Sequence, residues 1–236
     1  MWAIFKREIK AYFLSSIGYI FLSVFYLFSG YFFYATSIMA GRADLKYVFS
    51  NLLVILIFLL PMLTMKLMSE DKKLKTDQLL LTSPVNLFSV VFGKFLAALT
   101  TLFFGVLIMF VFAGVLCFLA TSFDWIIFLC NVLGLLLLGS ALISIGIFIS
   151  SLTENQVISV ISSCAVILLL FFIDGISATI NMNFISKALS SLSIIRPYNE
   201  FTYGLFSLPN IVLFFSFTIV FLFLTARVLE KKRWAS

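Results

Sequence analysis

The chain has 236 residues, of which 63% are hydrophobic and only 11% are charged, and its formal net charge is +6. A soluble domain contains about 45–50% apolar and about 25% charged residues, so this chain has too little polar surface to form one. The composition excludes soluble enzymes, disordered chains and disulfide-stabilised secreted folds, and it indicates an integral membrane protein.

The residues before the first long apolar stretch predict a short amphipathic helix. Apolar residues recur there at steps of three and four, and basic residues occupy the other side. Such a helix suits the cytoplasmic surface of a membrane, although an ordinary charged anchor explains the pattern equally well. The residues assigned to this surface helix are Trp2, Phe5, Lys6, Arg7, Ile9 and Lys10.

Six apolar stretches are long enough to cross a membrane, which takes about 20 residues as a helix. Uninterrupted apolar runs satisfy their backbone in lipid only as helices, so we predict an all-α polytopic membrane protein forming one domain, 1–236. The predicted spans are 17–39, 47–67, 95–120, 125–151, 157–173 and 211–226, and none contains Asp, Glu, Lys or Arg.

The basic residues predict the orientation of these spans. If the N-terminus is cytoplasmic, twelve of the sixteen lysines and arginines lie on the cytoplasmic side. The four on the other side are Arg42, Lys46, Lys187 and Arg196. This bias follows the positive-inside rule and predicts that both termini are cytoplasmic.

The link between the second and third spans, 66–94, is the most polar segment of the chain. We expect Ser69 to cap a new helix, with Glu70 and Asp71 in its first turn, where the helix dipole favours anions. Pro84 fits the first turn of the helix that follows. The predicted structure is a cytoplasmic helix lying along the membrane face.

This cytoplasmic helix carries an apolar cluster, 79–81, that needs a cover. A docking surface for a cytoplasmic partner is therefore the favoured interpretation, and a solvated connector is the alternative. The shorter link 150–156 also has two interpretations. In the first, Thr153 caps the fifth span and Glu154 lies favourably in its first turn. In the second, the link is the tip of a helical hairpin that enters a partner.

Residues 174–208, between the fifth and sixth spans, are too apolar for a free loop and too interrupted for a clean span. Short helices that re-enter the outer leaflet solve this problem, provided that protein covers their broken ends.

Several absences bear on the chemistry of the chain. It has no histidine, and its three cysteines lie singly in apolar runs, so we predict no metal site. Gly93-Lys94 lacks the upstream glycine pattern of a phosphate loop, so we predict no nucleotide site, bound cofactor or catalytic residue. Energy for any uphill transport must then come from another subunit.

The order of these features resembles the permease subunit of ABC-2-type transporters, over nearly the whole chain. Together the matching stretches look most like the branch that includes gliding-motility-associated permeases. These stretches are Glu70-Asp71-Lys72, Thr76 to Val85, Gly93-Lys94, Ser150 to Gln156 and Leu229 to Trp234.

The resemblance implies an exporter subunit in a bacterial plasma or inner membrane, which dimerises and binds two ABC ATPase subunits. ATP and Mg would be bound by those subunits, and the 174–208 segment would form outer half-helices. The resemblance assigns ATPase coupling to Glu70, Asp71, Lys72, Thr76, Asp77, Gln78, Leu79, Leu80, Leu81, Pro84, Thr153, Glu154, Asn155 and Gln156.

Two other hypotheses remain open at this point. A membrane scaffold that recruits an ATPase without transporting anything could use the same loop and tail. An intramembrane enzyme is disfavoured, because the chain lacks histidine and has no cluster of acids in its spans.

Overall fold

The computed structural model describes residues 2–73, 75, 86–119, 123–179 and 193–235. Within these ranges the chain is helical, without β-strands, and a π-helical turn at Phe33–Ile38 continues the second helix. The α-helices are α1 (Trp2–Leu14), α2 (Ser16–Phe32), α3 (Lys46–Lys73), α4 (Leu87–Val106), α5 (Ile108–Leu119), α6 (Trp125–Leu152), α7 (Gln156–Thr179), α8 (Ile195–Thr202) and α9 (Leu208–Ala235).

Six helical segments of the described chain are long and apolar enough to cross a membrane, which confirms an all-α membrane protein with six candidate spans. Two of these segments combine neighbouring elements: α2 with the π-helical turn, and α4 with α5. The segments are Ser16–Ile38, Lys46–Lys73, Leu87–Leu119, Trp125–Leu152, Gln156–Ile173 and Leu208–Arg233.

Several helices extend beyond their predicted spans into polar sequence. The second span was expected to end at 67, yet α3 continues to Lys73. Similarly, α7 continues to Thr179, and α9 runs from Leu208 to Ala235. The apolar stretch marks only the part of a helix that suits lipid, whereas backbone hydrogen bonds continue into the polar flanks.

The third span also differs from its expected bounds, because α4 begins at Leu87 instead of 95. Asn86 caps this helix, since its side-chain oxygen accepts a hydrogen bond from the backbone N–H of Phe88 at 3.0 Å. The earlier start places Lys94 inside a helix, which corrects the expectation that no charged residue lies within a span.

Helix α6 forms the centre of the bundle and packs against α3, α4, α7 and α9. Glycines allow its closest approaches. A Cβ atom at Gly146 would lie 2.9 Å from the Cβ of Thr64 on α3, and one at Gly134 would lie 2.7 Å from the Cβ of Phe201 on α8. Such distances are too short for ordinary carbon contacts, so these positions favour glycine.

The bundle has two distinct ends. One end carries α1, the C-terminal end of α3, the start of α4, the α6–α7 link and the C-terminal end of α9, and we call it the termini end. At the opposite end the Tyr198 hydroxyl on α8 donates to the Phe49 carbonyl at 2.8 Å, and the Lys46 ammonium lies 3.2 Å from the ring centre of Tyr203.

The short helix α8 lies within the segment for which half-helices were expected. Residues 180–192 of the same segment lie outside the described residues. The hydrogen bond from Tyr198 to the Phe49 carbonyl of α3 holds α8 against the bundle.

Candidate functional site

The two segments predicted to couple to an ATPase meet at the termini end through Ser150. Its hydroxyl oxygen accepts hydrogen bonds from the backbone N–H groups of Met68 at 3.3 Å and Ser69 at 3.1 Å. The same hydroxyl donates to the Met65 carbonyl at 2.9 Å. Ser150 is fully buried, so these bonds form away from water and join the end of α6 to the last turns of α3.

A second link between the segments involves Lys72, whose ammonium donates to the backbone carbonyl of Ser151. Lys72, Glu70 and Asp71 all lie in the last turns of α3, and each is partly exposed. The remaining members of the first coupling segment lie outside the described residues, namely Thr76, Asp77, Gln78, Leu79, Leu80, Leu81 and Pro84.

Ser69 does not cap a new helix, which corrects the prediction for the start of the cytoplasmic helix. It lies inside α3, and its hydroxyl donates to the Met65 carbonyl one turn earlier. A hydroxyl inside a helix can bond to the carbonyl four residues before it, which satisfies its hydrogen-bonding need without ending the helix. Glu70 and Asp71 therefore lie near the end of a helix instead of in a first turn.

The α6–α7 link also differs from its predicted cap. Thr153 follows the last residue of α6 in extended conformation, and the side-chain oxygen of Asn155 accepts from the backbone N–H of Val157 at 2.9 Å. Asn155 therefore caps α7, because it directly precedes the helix at Gln156. Glu154 is exposed between the two helices, where a partner can reach it.

The strongest electrostatic feature of the termini end is a buried lysine. Lys94 on α4 is only 1% exposed. Its ammonium donates to Glu8 Oε1 of α1 at 3.0 Å and to the Leu67 carbonyl of α3 at 2.5 Å, and it lies 2.6 Å from Asp71 Oδ2. One side chain thus joins three helices of the described chain.

Arg7 completes this ion cluster, which consists of Arg7, Glu8, Asp71 and Lys94. The Arg7 guanidinium lies 2.6 Å from Glu8 Oε1 and 3.7 Å from Asp71 Oδ2, with about half of its side chain exposed. Two cations therefore balance two carboxylates. An isolated charge is unfavourable in an apolar interior, so this balance is what makes burial of Lys94 tolerable.

The sequence patterns did not identify Lys94 and Glu8 as site residues, although one signal was present. Glu8 lies three residues after Phe5 and four before Tyr12, so it shares the apolar side of α1. An acid on an apolar helical face needs a buried cationic partner. The spacing therefore signals a buried pair, but it does not identify Lys94 as the partner.

Helix α1 is held to the bundle by a further bond, from the Tyr12 hydroxyl to the Leu63 carbonyl at 2.9 Å. Burial, with a smaller contribution from the Glu8 charge, raises the pKa of the Tyr12 phenol well above its ordinary value. The phenol therefore keeps the proton that it donates, and α1 stays attached to α3 at this point.

The residues assigned to the surface helix divide between the two sides of α1. Phe5 and Ile9 pack partly buried against the protein core, whereas Lys6, Arg7 and Lys10 are exposed. Trp2 is 72% exposed, and its ring stacks on Phe5 with centroids 5.2 Å apart. This division leaves Trp2, Lys6 and Lys10 on the exposed side of α1, where they suit a membrane surface, while Arg7 is paired within the ion cluster.

Several polar side chains at this end join helices: Ser150 and Lys72 join α3 to α6, and Lys94 joins α4 to α1 and α3. A cleft of ≈ 290 Å³ lies between α1 and the end of α3, next to the ion cluster. Within the described ranges, no three His, Cys, Asp or Glu side chains come together as metal ligands. The termini end thus joins helices around a small cleft.

Comparison with known families gives one match over almost the entire chain. A family model described as "ABC-2 family transporter protein" matches residues 2–234. No curated protein matches the chain.

Proposed function

Since the chain belongs to the ABC-2 family of transporter proteins, we propose that it is the permease subunit of an ATP-driven exporter. Family members are membrane components without a nucleotide-binding domain of their own. In this proposal the six candidate spans contribute to the translocation path. ATP and Mg are bound by separate ABC ATPase subunits, and no cofactor is bound by this chain.

The contact that best supports coupling is the one between Ser150 and the end of α3. Through it, the end of α3, which leads into the first predicted coupling segment, and the end of α6, which leads into the α6–α7 link, are fixed to each other at one end of the bundle. A partner that docks there can contact both segments at once. Because α6 is the central helix, a displacement of this junction is passed directly to the core of the bundle.

The proposed complex has two ATPase subunits and two permease copies, either identical or different, and an accessory subunit is also possible. Its site is a bacterial plasma or inner membrane, with both termini cytoplasmic. The bias of lysine and arginine toward the side of the termini supports this orientation. The same basic side chains are suited to anionic lipid, and no nucleic-acid partner is proposed.

The test is affinity purification of the tagged chain from its host membrane in mild detergent, with identification of the proteins that co-purify. We expect an ABC ATPase. The complex is then reconstituted in lipid, and ATP hydrolysis is measured with fractions of a lipid and small-molecule extract of the host.

Stimulation of hydrolysis by one fraction would support a transporter. An ATPase that co-purifies but shows no stimulation by any fraction would instead favour the non-transporting scaffold. The control is the isolated ATPase with the same fractions, because stimulation without the permease would not depend on this chain.

A further inference from the structure

Lys94 lies where its ion cluster can limit how helices move relative to one another. The residue lies on α4, and its partners lie on α1 and α3. Asp71 is two residues before the end of α3, and Lys94 is about two turns into α4. The segment between these helices, 74–86, contains most of the first predicted coupling segment.

The Lys94–Asp71 pair therefore connects the two helices that flank this segment. The Lys94 ammonium on α4, which follows the segment, lies 2.6 Å from Asp71 Oδ2 on α3, which precedes it. Glu8 adds α1 to the same point at 3.0 Å. A force on 74–86 consequently acts on helices that are joined, instead of moving α3 and α4 separately.

An ionic joint differs from an apolar contact in being directional. Apolar side chains can slide past one another with little change in buried area, whereas an ammonium that is paired with two carboxylates and donates to a carbonyl has one favourable arrangement. Separation of α3 from α4 would leave the buried Lys94 ammonium without its Asp71 partner, which is strongly unfavourable. The cluster thus resists relative motion of the three helices.

We propose that Lys94 is a positioning residue for energy coupling, which makes α1, α3 and α4 move as one unit when the ATPase moves. This role rests on the proposed function, because it presupposes a partner at the 74–86 segment. It adds α1 and the ion cluster to the coupling apparatus, with Lys94 in a mechanical role.

Two variants separate positioning from simple charge compensation. Lys94→Met removes the ammonium and leaves the Glu8 and Asp71 carboxylates with Arg7 as the remaining cation of the cluster, so this variant alone can fail by misfolding. The double variant Glu8→Gln, Lys94→Met removes one charge of each sign and leaves Asp71 paired with Arg7. Neutral replacement of a buried ion pair is often tolerated, so we expect the double variant to fold and to retain the ATPase.

The readout is motion at the opposite end of the bundle. Spin labels are attached at Met39→Cys and Leu208→Cys, both exposed, after replacement of Cys117, Cys130 and Cys164. The distance between the labels is measured by pulsed electron paramagnetic resonance in the complex with its co-purified ATPase. Measurements are made without nucleotide and with ATP and vanadate.

We expect the distance distribution to shift with nucleotide in the unmodified cluster and to lose most of that shift in the double variant, with the ATPase still bound and active. A full shift in the double variant would overturn the proposal, because charge compensation alone would then explain Lys94. Loss of the ATPase from the double variant would also overturn it, since Lys94 would then serve assembly.

Failure of the proposed function has a different signature. It would appear with the cluster intact, as the absence of an ATPase from the purified chain or as a label distance that nucleotide does not change. Either result would remove the basis for a coupling role of Lys94 without any comparison of variants.

Discussion

The hydroxyl oxygen of Ser150 lies 3.1 Å from the backbone nitrogen of Ser69, and these two residues are 81 positions apart in the chain. The bond fixes the end of the central helix α6 against the last turns of α3. Both predicted coupling segments begin within a few residues of this point. The relative position of the two helix ends that lead into these segments is therefore set by the bundle itself.

Ser150→Ala should lower the stability of the protein, because it removes a buried hydrogen-bonding group shared by two helices. We expect a loss of about 1 kcal/mol, seen as a decrease of about 2–4 °C in the melting temperature in detergent. Ser162→Ala is the matched control, since the Ser162 hydroxyl bonds only to carbonyls of its own helix. Equal melting temperatures for the two variants would contradict a stabilising role for the Ser150 contact.

Tyr12→Phe should loosen α1 from the bundle, because the Tyr12 hydroxyl donates to Leu63 in a buried site. The expected loss is about 1 kcal/mol. Tyr19→Phe is the control, since Tyr19 is 57% exposed and a phenylalanine there keeps its ring contact with Phe13. Both variants are compared by thermal unfolding, and an unchanged Tyr12→Phe protein would argue against this attachment.

The Tyr12 bond should also have a defined pH dependence. Its pKa is raised by burial, and then by Glu8, above the ordinary value of 10.0. A group whose pKa is raised on folding contributes stability that is fully present below its unfolded pKa and is lost as pH rises through the folded value. The difference in melting temperature between wild type and Tyr12→Phe should therefore stay constant up to pH 10.0 and decrease above it.

Gly146→Ala should push α3 and α6 apart, because the new Cβ would lie 2.9 Å from the Cβ of Thr64. Overpacking of this kind costs about 1–3 kcal/mol. Gly114→Ala provides the control, since a Cβ there meets nothing within 4 Å and should be neutral or slightly stabilising. Thermal unfolding in detergent distinguishes the two, and a neutral Gly146→Ala would show that the helices adjust freely.

Single cysteines test the predicted orientation. Lys73→Cys lies at the termini end and Arg42→Cys at the opposite end, and both positions are exposed. With the three native cysteines replaced, an impermeant thiol reagent should label Arg42→Cys in intact cells and Lys73→Cys only after permeabilisation. The reverse pattern would place the termini outside the cell.

The number of spans was predictable from the sequence because each apolar stretch is long and separated by polar residues. The helix ends were less predictable, as Ser69 illustrates. A serine followed by two acidic residues fits the start of a helix. The Ser69 hydroxyl nevertheless donates to the Met65 carbonyl, and α3 continues to Lys73. Local sequence patterns describe what a residue can do, whereas tertiary contacts decide among those possibilities.

The ion cluster shows the same limit at longer range. Lys94 and Glu8 are 86 positions apart, so no local pattern relates them. Lys94 follows Gly93 at the edge of an apolar stretch, where a charge normally marks the end of a span. Only the packing of α1 beside α4 shows that the charge is buried and paired.

The central claim is that an ATPase docks on the segment after α3, and a pull-down tests it most directly. Leu79→Asp with Leu80→Asp introduces charge into the expected apolar contact. A cost of about 2–5 kcal/mol for an unpaired interface charge corresponds to a more than about tenfold loss of affinity. The matched control is Leu205→Asp with Leu208→Asp, two exposed leucines at the opposite end.

The amount of ATPase that co-purifies with each variant is measured after membrane levels have been shown to be equal. We predict that the Leu79→Asp, Leu80→Asp chain loses the ATPase while the control chain retains it. Retention of the ATPase at the wild-type level by the Leu79→Asp, Leu80→Asp chain would contradict the coupling assignment and leave the 74–86 segment a connector.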